Sequence, residues 1–224
     1  MKNFNFKKLV TENPALVSQM PNVQALVNNG NARYREYAYY FRKKISLAGN
    51  QKLVEGSTVK SYGVTNLVNG KITPGRAFMV TGIALRYAYN ASTTTAYAQV
   101  YSNAIYNPID VAADATDQDA NTAGVQSSPA AVALVPTQLT DSEFELSVGG
   151  KGMFGCQTGD FLVDNLYTEK PRGASDLRVE LGDFPIIIDD TKDIEPWLYF
   201  NENISTPSNN HFIEFVMYGQ EIFA

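Results

Sequence analysis

The chain is poor in the residues on which most catalytic and metal-binding sites depend. Its 224 residues include a single cysteine, Cys156, and a single histidine, His211. One cysteine cannot form an internal disulfide, and one histidine excludes histidine-rich zinc sites. No G-x-S-x-G nucleophile elbow occurs either. We therefore expect no enzyme activity, cofactor or metal, with Cys156 a small buried hydrophobic residue and His211 a packing or surface residue.

Long apolar runs are also absent. No run approaches the roughly 18 residues that a membrane-spanning helix needs. The first ten residues, MKNFNFKKLV, do not contain the continuous apolar core of a signal peptide. These absences predict a protein that is made soluble inside a cell.

Basic residues are missing from a long central part of the chain. No lysine or arginine lies between Arg86 and Lys151, where acidic residues accumulate. Residues 1–60 instead have ten basic and three acidic side chains, a net charge of +7, which leaves −12 for the rest of a chain whose total is −5. This asymmetry predicts a cationic segment facing the phosphate groups of nucleic acid or lipid. Alternatively, the basic residues pair with acidic groups of the body or of a neighbouring subunit.

We interpret residues 1–50 as a basic helical N-terminal arm. Asn13 and Pro14 suit the start of a short helix, and a second helix is expected from Asn22 to Gly30. A third is predicted over 31–45, where apolar side chains recur at helical spacing. Its apolar stripe consists of Tyr34, Tyr37, Ala38, Phe41 and Ile45. The candidate phosphate or lipid contacts in the arm are Lys7, Lys8, Arg33, Arg35, Arg42, Lys43 and Lys44.

An amphipathic helix at 31–45 has three possible uses. It can rest on a membrane surface, bind nucleic acid, or dock its apolar stripe onto the rest of the protein. Docking is the commonest of these, because a surface helix needs a packed apolar face to stay folded.

Residues 51–224 have the pattern of a β-domain. Thirteen Tyr and twelve Phe, with sixteen Gly and ten Pro, suit short strands joined by turns. Strands are predicted in AFMVTGIALRYAY, TAYAQVYSNAIY, FPIIID, EPWLYF and HFIEFVMYGQEIF. In the first, Met79, Ile83 and Leu85 are placed on one face and Phe78 and Val80 on the other. About eight strands without intervening long helices predict an antiparallel β-sandwich.

The stretch FELSVGGKGMF is interpreted as a hairpin, not as a phosphate-binding loop. Lys151 is followed by Gly152, whereas a Walker loop requires Ser or Thr at that position. Phe144, Leu146 and Val148 alternate with polar residues, which is the period of a half-buried strand. The glycine pair 149–150 then suits the positive φ angles of a two-residue turn.

Two acidic segments are candidates for ligand chemistry. The loop 107–130 contains Asp117, Asp119 and Asn121 at the spacing of the first calcium ligands of an EF-hand, but Thr122 and Ser128 replace its glycine and its bidentate glutamate. Four more acids precede Trp197, and a glycosidase would use two such carboxylates. They are Asp189, Asp190, Asp193 and Glu195. Solvated turn acids are the commoner use of such a segment.

A β-sandwich with a basic arm and a long loop fits an assembly subunit. Shell subunits bind copies of themselves through sheet edges and loops, and an N-terminal arm often faces the anionic cargo inside. A jelly roll is the sandwich most used for this purpose. We therefore assign 51–224 to a jelly-roll domain with the long loop 107–130, and a compact double jelly roll is the alternative.

The C-terminal third resembles a known class of virion protein. The segments LTDSEFELSVGGKGMF, FPIIIDDTKDIEPWLYFN and NNHFIEFVMYGQEIF are similar in pattern to the jelly-roll virion proteins of tailless icosahedral bacteriophages. The resemblance implies a self-assembling capsid protein of a virion made in the host cytoplasm. It also implies contact with copies of itself and other virion proteins, and contact of the arm with the genome or an inner membrane. The family offers no catalytic residues and no small-molecule substrate.

A second class of function stays open. In a carbohydrate-binding sandwich module or a phage receptor-binding protein, aromatic side chains stack on sugar rings. Tyr97, Tyr101 and Trp197 are the candidate rings. Such a module would need these rings exposed together on one concave face.

Overall fold

The protein is an antiparallel β-sandwich with short helices near its N-terminal end, as a computed structural model shows. The structure describes residues 6–13, 15, 18, 20–46, 49–90, 108–109, 135–162, 178–182, 184–200 and 210–224. Its helices are α1 (Phe6–Glu12), α2 (Pro21–Asn28), α3 (Thr137–Thr140) and α4 (Gly159–Leu162). Its strands are β1 (Arg33–Ile45), β2 (Asn50–Lys52), β3 (Ala77–Asn90), β4 (Pro108–Ile109), β5 (Val135–Pro136), β6 (Glu143–Val148), β7 (Lys151–Gln157), β8 (Val179–Glu180), β9 (Ile186–Asp189), β10 (Ile194–Tyr199) and β11 (Asn210–Phe223).

Two sheets form the sandwich. The main sheet has the order β1-β11-β3-β8, with β9 also paired to β3, and the small sheet has the order β2-β10-β6-β7. Every pairing in the two sheets is antiparallel. The predicted fold class, a mainly β antiparallel sandwich, is therefore confirmed.

The larger hydrophobic core lies between the two sheets. The final strand supplies Ile213, Phe215 and Met217, the apolar face that its alternation predicts, and all three are buried. Phe144 and Leu146 of the small sheet belong to the same core. Phe144 packs against Phe215 with ring centroids 5.7 Å apart, so this pair joins the two sheets.

The hairpin at 149–150 is confirmed. Val148 pairs with Lys151, and the two glycines between them have φ angles of +57° and +76°. Positive φ at both turn positions is the requirement of a type I′ turn, which glycine meets without strain.

The helix predicted over 31–45 is wrong, because Arg33–Ile45 forms the strand β1. All thirteen of its residues pair with β11 without a register shift, from Arg33 opposite Phe223 to Ile45 opposite His211. The same residues that give a helical stripe also alternate as Tyr37, Tyr39 and Phe41, and aromatic side chains favour strands. Pairing with β11, a long strand that is distant in sequence, favours the strand over the helix. The helical part of the chain is therefore shorter than the arm 1–50 that we expected.

The N-terminal helices pack on the face of the main sheet that points away from the small sheet. Phe6 and Val10 of α1 and Val23 of α2 are buried against Met79 and Ile222. Helix α2 matches the predicted second helix and begins at Pro21. Helix α1 was not predicted: it ends at Glu12, before the short helix that we expected to begin at Asn13 and Pro14. Most of that expected helix lies outside the described residues.

Candidate functional site

The seven basic residues proposed for phosphate or lipid contact are divided among different parts of the fold. Lys7 and Lys8 are exposed on α1, and the other five lie on β1. Arg33 and Lys44 are both exposed, but eleven residues of extended strand separate them by about 36 Å. The structure therefore does not bring the seven side chains together as one patch.

Arg35 is part of a buried ionic cluster around Glu221. The Glu221 side chain is completely buried, and its Oε2 lies 2.6 Å from Nη2 of Arg35 and 2.9 Å from Nη1 of Arg76. Its Oε1 accepts a hydrogen bond of 2.5 Å from the hydroxyl of Tyr39. Burial, and then this hydrogen bond to Glu221, raise the pKa of Tyr39. The two guanidinium groups compensate the desolvation of the carboxylate, so Arg35 has a structural partner.

Arg42 belongs to a second cluster, around Glu214 on the opposite face of the same strand. Its Nε lies 2.7 Å from Oε1 of Glu214, and Nη1 of Arg86 lies 2.9 Å from Oε2. Arg86 also donates to the hydroxyl of Tyr218 at 2.6 Å. A third basic residue, Lys43, pairs with Glu55 at 2.6 Å, and this contact lowers the pKa of Glu55. Nζ of Lys8 on α1 lies 3.8 Å from Oε1 of Glu12, an exposed pair one helical turn apart. Four of the seven predicted contacts thus form ion pairs within the chain.

The acidic segment before Trp197 is held by local structural contacts. Asp189 accepts hydrogen bonds from the backbone N–H of Thr191, at 2.8 Å, and from its hydroxyl. Asp190 accepts from the side-chain amide of Asn22 at 2.9 Å and from the backbone N–H of Gly75 at 2.6 Å. These contacts stabilise the turn after β9 and connect it to helix α2.

The other two acids of that segment face lysines. The Oδ1 of Asp193 lies 3.6 Å from Nζ of Lys71, and Glu195 forms an ion pair with Lys52. Among the described residues, no three His, Cys, Asp or Glu side chains group closely enough to hold a metal ion. The calcium-like loop residues Asp117 to Ser128 lie outside the described part of the chain, as do Tyr97 and Tyr101.

His211 is a core residue. It is 2% exposed, and its Nδ1 lies 2.7 Å from the hydroxyl of Tyr87, which is also buried. Burial, and then the charge of Lys44, lower the pKa of His211 to about 4. The imidazole is therefore neutral at physiological pH.

Cys156 is half-buried on β7. Burial, and then the charge of Asp160, raise the pKa of the thiol to about 12. The thiolate, which is the reactive form, is therefore scarce at neutral pH.

The outer surface of the small sheet contains a groove that the sequence did not predict. It has a volume of about 640 Å³, and we call it the β6–β7 groove. Glu143 and Glu145 of β6 line it together with Gln157 of β7 and the ring of Tyr199 from β10. Two glycines of β7, Gly152 and Gly155, lie along the same groove.

An aromatic pair borders this groove. The rings of Trp197 and Tyr199, both half-buried, are nearly parallel at 11° with centroids 6.1 Å apart. The hydroxyl of Tyr199 donates to Oε2 of Glu145 at 3.3 Å, and the ammonium of Lys52 lies 5.7 Å from the Trp197 ring centre. Of the three aromatic residues proposed for sugar stacking, Trp197 is the one that the structure describes.

A pattern in the sequence could have indicated part of this groove. Glu143 and Glu145 are two residues apart, as are Trp197 and Tyr199, so each pair lies on one face of its strand. What the sequence could not show is the register that places Trp197 opposite Glu145 and Glu145 opposite Gly155.

None of the helices in the described residues is long and apolar enough to cross a membrane. No protein-family model matches the chain, and no curated protein matches it.

Proposed function

We propose that the protein is a structural virion protein: a self-assembling capsid subunit of an icosahedral bacteriophage, with a jelly-roll fold. Its partners are copies of itself and other virion proteins, and it is made in the host cytoplasm and resides in the virion. The genome or an inner lipid membrane contacts its N-terminal basic residues. Exposed apolar side chains in the connections between strands are the observation that carries this proposal, and the order in which the strands pair supports its jelly-roll fold.

The strand pairs are nested along the chain: the first strand pairs with the last, and strands further inward pair with each other in turn. β1 pairs with β11, β2 with β10, β3 with β9, and β6 with β7. The first and third of these pairs belong to the main sheet, and the second and fourth belong to the small sheet. Rolling such a ribbon so that alternate pairs fall in opposite sheets produces a jelly roll, an architecture used by viral capsid and lectin domains.

Exposed apolar side chains support contacts between subunits. Tyr62 is 96% exposed and Phe184 is 85% exposed, and both lie in connections between strands. Val59, in the same connection as Tyr62, is 74% exposed. Burying large apolar side chains against a neighbouring subunit removes them from water, which makes the free energy of association more favourable.

The oligomeric state tests the proposal. The full-length protein is measured by light scattering over a range of concentrations and salt, and the eluting species are imaged by negative-stain electron microscopy. We expect trimers, pentamers or shell-sized particles. A matched variant, Tyr62→Ser with Phe184→Ser, should shift the distribution to smaller species, whereas Glu12→Gln on α1 should leave it unchanged. A monodisperse monomer under every condition would overturn the proposal.

A carbohydrate-binding module is the second candidate function. It is favoured by the half-buried Trp197 and Tyr199 rings beside the β6–β7 groove. Lectin domains also use the jelly-roll architecture, so the fold does not distinguish the two candidates. A monomer that binds glycans would favour the module.

A further inference from the structure

We infer that the β6–β7 groove binds a short saccharide without acidic groups. This inference rests on the second candidate function and names its ligand class. It is independent of the proposed virion role, because a subunit that assembles and one that stays monomeric can both have such a groove. Four features of the groove support this inference: its hydrogen-bonding groups, its apolar surface, its charge, and the space left by the glycines of β7.

The polar groups of the groove are suited to ligands with many hydroxyls. Glu143 and Glu145 are next-but-one neighbours on β6, and Gln157 lies opposite Glu143 on β7. Each carboxylate has about four lone-pair sites. Glu145 uses some of them for Ser147 at 2.9 Å and Tyr199 at 3.3 Å, and these two contacts orient its carboxylate. The remaining sites can accept hydrogen bonds from ligand hydroxyls.

The apolar surface is suited to the C–H face of a sugar ring. Tyr199 lines the groove, and its near-parallel packing on Trp197 holds the ring in place. Met153, on the β7 side of the groove, is 46% exposed and adaptable in shape. An aromatic ring with its hydroxyl bonded to a carboxylate offers a ligand an apolar face beside a polar edge.

The charge of the groove argues against acidic ligands. Among the ion pairs of the described residues, none includes Glu143 or Glu145. The described residues that line the groove include these two glutamates and no lysine or arginine, so the lining is anionic. Sulfated, phosphorylated or uronic-acid sugars would therefore be repelled. A neutral or amino sugar meets no such penalty.

The glycines of β7 leave the space in which a ligand can lie. A Cβ added at Gly152 would come within 2.9 Å of Oε1 of Glu145, so the absence of a side chain there makes room for that carboxylate. A Cβ at Gly155 would meet only the backbone oxygen of Phe144, at 3.6 Å. A larger side chain at 155 can thus be introduced without an internal clash at its Cβ. The groove volume of about 640 Å³ is within the range of small-ligand sites.

The experiment fills the groove and measures binding. The full-length protein is titrated by calorimetry with neutral hexose oligosaccharides, with amino oligosaccharides and with uronic-acid oligosaccharides. We expect binding of the neutral or amino series and not of the acidic series. Gly155→Leu should weaken binding at least tenfold, whereas Gly56→Leu, at an exposed glycine with open space around it, should not change it.

A second variant does not depend on how well the protein tolerates leucine at 155. Glu143→Gln keeps the shape of an exposed side chain and removes its charge, so we expect about a tenfold loss of affinity. Glu12→Gln on α1 is the matched control. Failure of all three series to bind would overturn the inference, as would equal binding of the acidic series or unchanged binding by Glu143→Gln. Equal binding of a lysine-rich peptide would also overturn it, by showing that the groove selects positive charge alone.

Discussion

Two buried glutamates of β11 explain the structural role of several arginines in this protein. Glu214 and Glu221 point to opposite faces of the strand, and each is nearly or completely buried. Removing one partner of a buried ion pair usually costs several kcal/mol, about 3–5, because the other charge stays desolvated. Arg35 and Arg42 therefore stabilise the central strand of the main sheet, whatever else they contact.

His211 makes the stability of the protein dependent on pH. Its pKa is about 4 in the folded protein and about 6.5 when unfolded, so the unfolded chain binds more protons between these values. The stabilisation is complete above pH 6.5 and is lost as the pH falls toward 4. We expect the free energy of unfolding to drop by about 2 kcal/mol between pH 7.5 and pH 5 from this residue alone.

Urea unfolding at the two pH values checks this prediction. In His211→Phe, which keeps an aromatic ring in the core, the drop should be smaller than in the unchanged protein by about that amount. Comparing the two proteins removes the contribution of the carboxylates that titrate in the same range. Equal pH dependence in both would show that His211 is not the group responsible.

The strand β3 illustrates how one extra residue changes which side chains reach the core. Its register with β11 shifts at Tyr218 and Gly219, which leaves Thr81 as an extra residue on β3. Before this bulge Phe78 and Val80 face the main core, whereas after it Ile83, Leu85 and Tyr87 do. The uninterrupted alternation that we predicted for this strand is therefore wrong. Met79 packs under the helices instead of joining Ile83.

Gly219 is the residue that permits this bulge, which leads to a prediction for β11. A Cβ at this position would lie 1.9 Å from the carbonyl oxygen of Met79, so the backbones would have to separate. We expect Gly219→Ala to lower the free energy of unfolding by about 3–5 kcal/mol and the melting temperature by about 10 °C. Gly56→Ala, where a Cβ meets nothing within 4 Å, should change the melting temperature little. Calorimetric melting of the two variants distinguishes a local steric clash from a general intolerance of alanine.

The distribution of charge over the whole molecule restricts where an anionic partner can bind. Lys7 and Lys8 lie on α1, and Phe6 of that helix contacts Gln220 near the end of the sheet where Arg33 pairs with Phe223. The helix with the exposed Lys7 and Lys8 therefore lies near the end of β1 that begins with the exposed Arg33, whereas Lys44 lies at the other end of β1. We propose that Lys7, Lys8 and Arg33 are the contact to genome or membrane.

Salt-dependent binding tests this arrangement. Replacing Lys7, Lys8 and Arg33 with glutamine should weaken binding to single-stranded DNA or anionic vesicles. It should also reduce the slope of log K against log salt for DNA by about 2. Replacing three exposed lysines elsewhere, Lys60, Lys151 and Lys192, makes the same change in net charge and should leave the slope nearly unchanged. A similar effect of both triple variants would show that net charge, and not this end of the molecule, attracts the partner.

Local patterns in the chain were sufficient for the fold class and for several elements. Alternation identified the buried face of β11 and the glycine pair located the hairpin turn, because each of these signals depends on neighbouring residues. The β6–β7 groove could not be predicted in the same way. Its acidic and aromatic residues come from strands about 50 residues apart, and only the pairing of β6 with β10 brings them together.

The sequence was sufficient to establish a β-rich sandwich with a strongly asymmetric charge, since composition and period-2 alternation are properties of short segments. Whether 31–45 became a helix or a strand depended on pairing with β11, because its aromatic residues suit both periods. Which arginines face solvent likewise depended on Glu214 and Glu221, about 180 residues away in the chain from β1. A buried carboxylate requires a cation beside it. In the folded protein β1 lies next to β11, so Arg35 pairs with Glu221 and Arg42 pairs with Glu214.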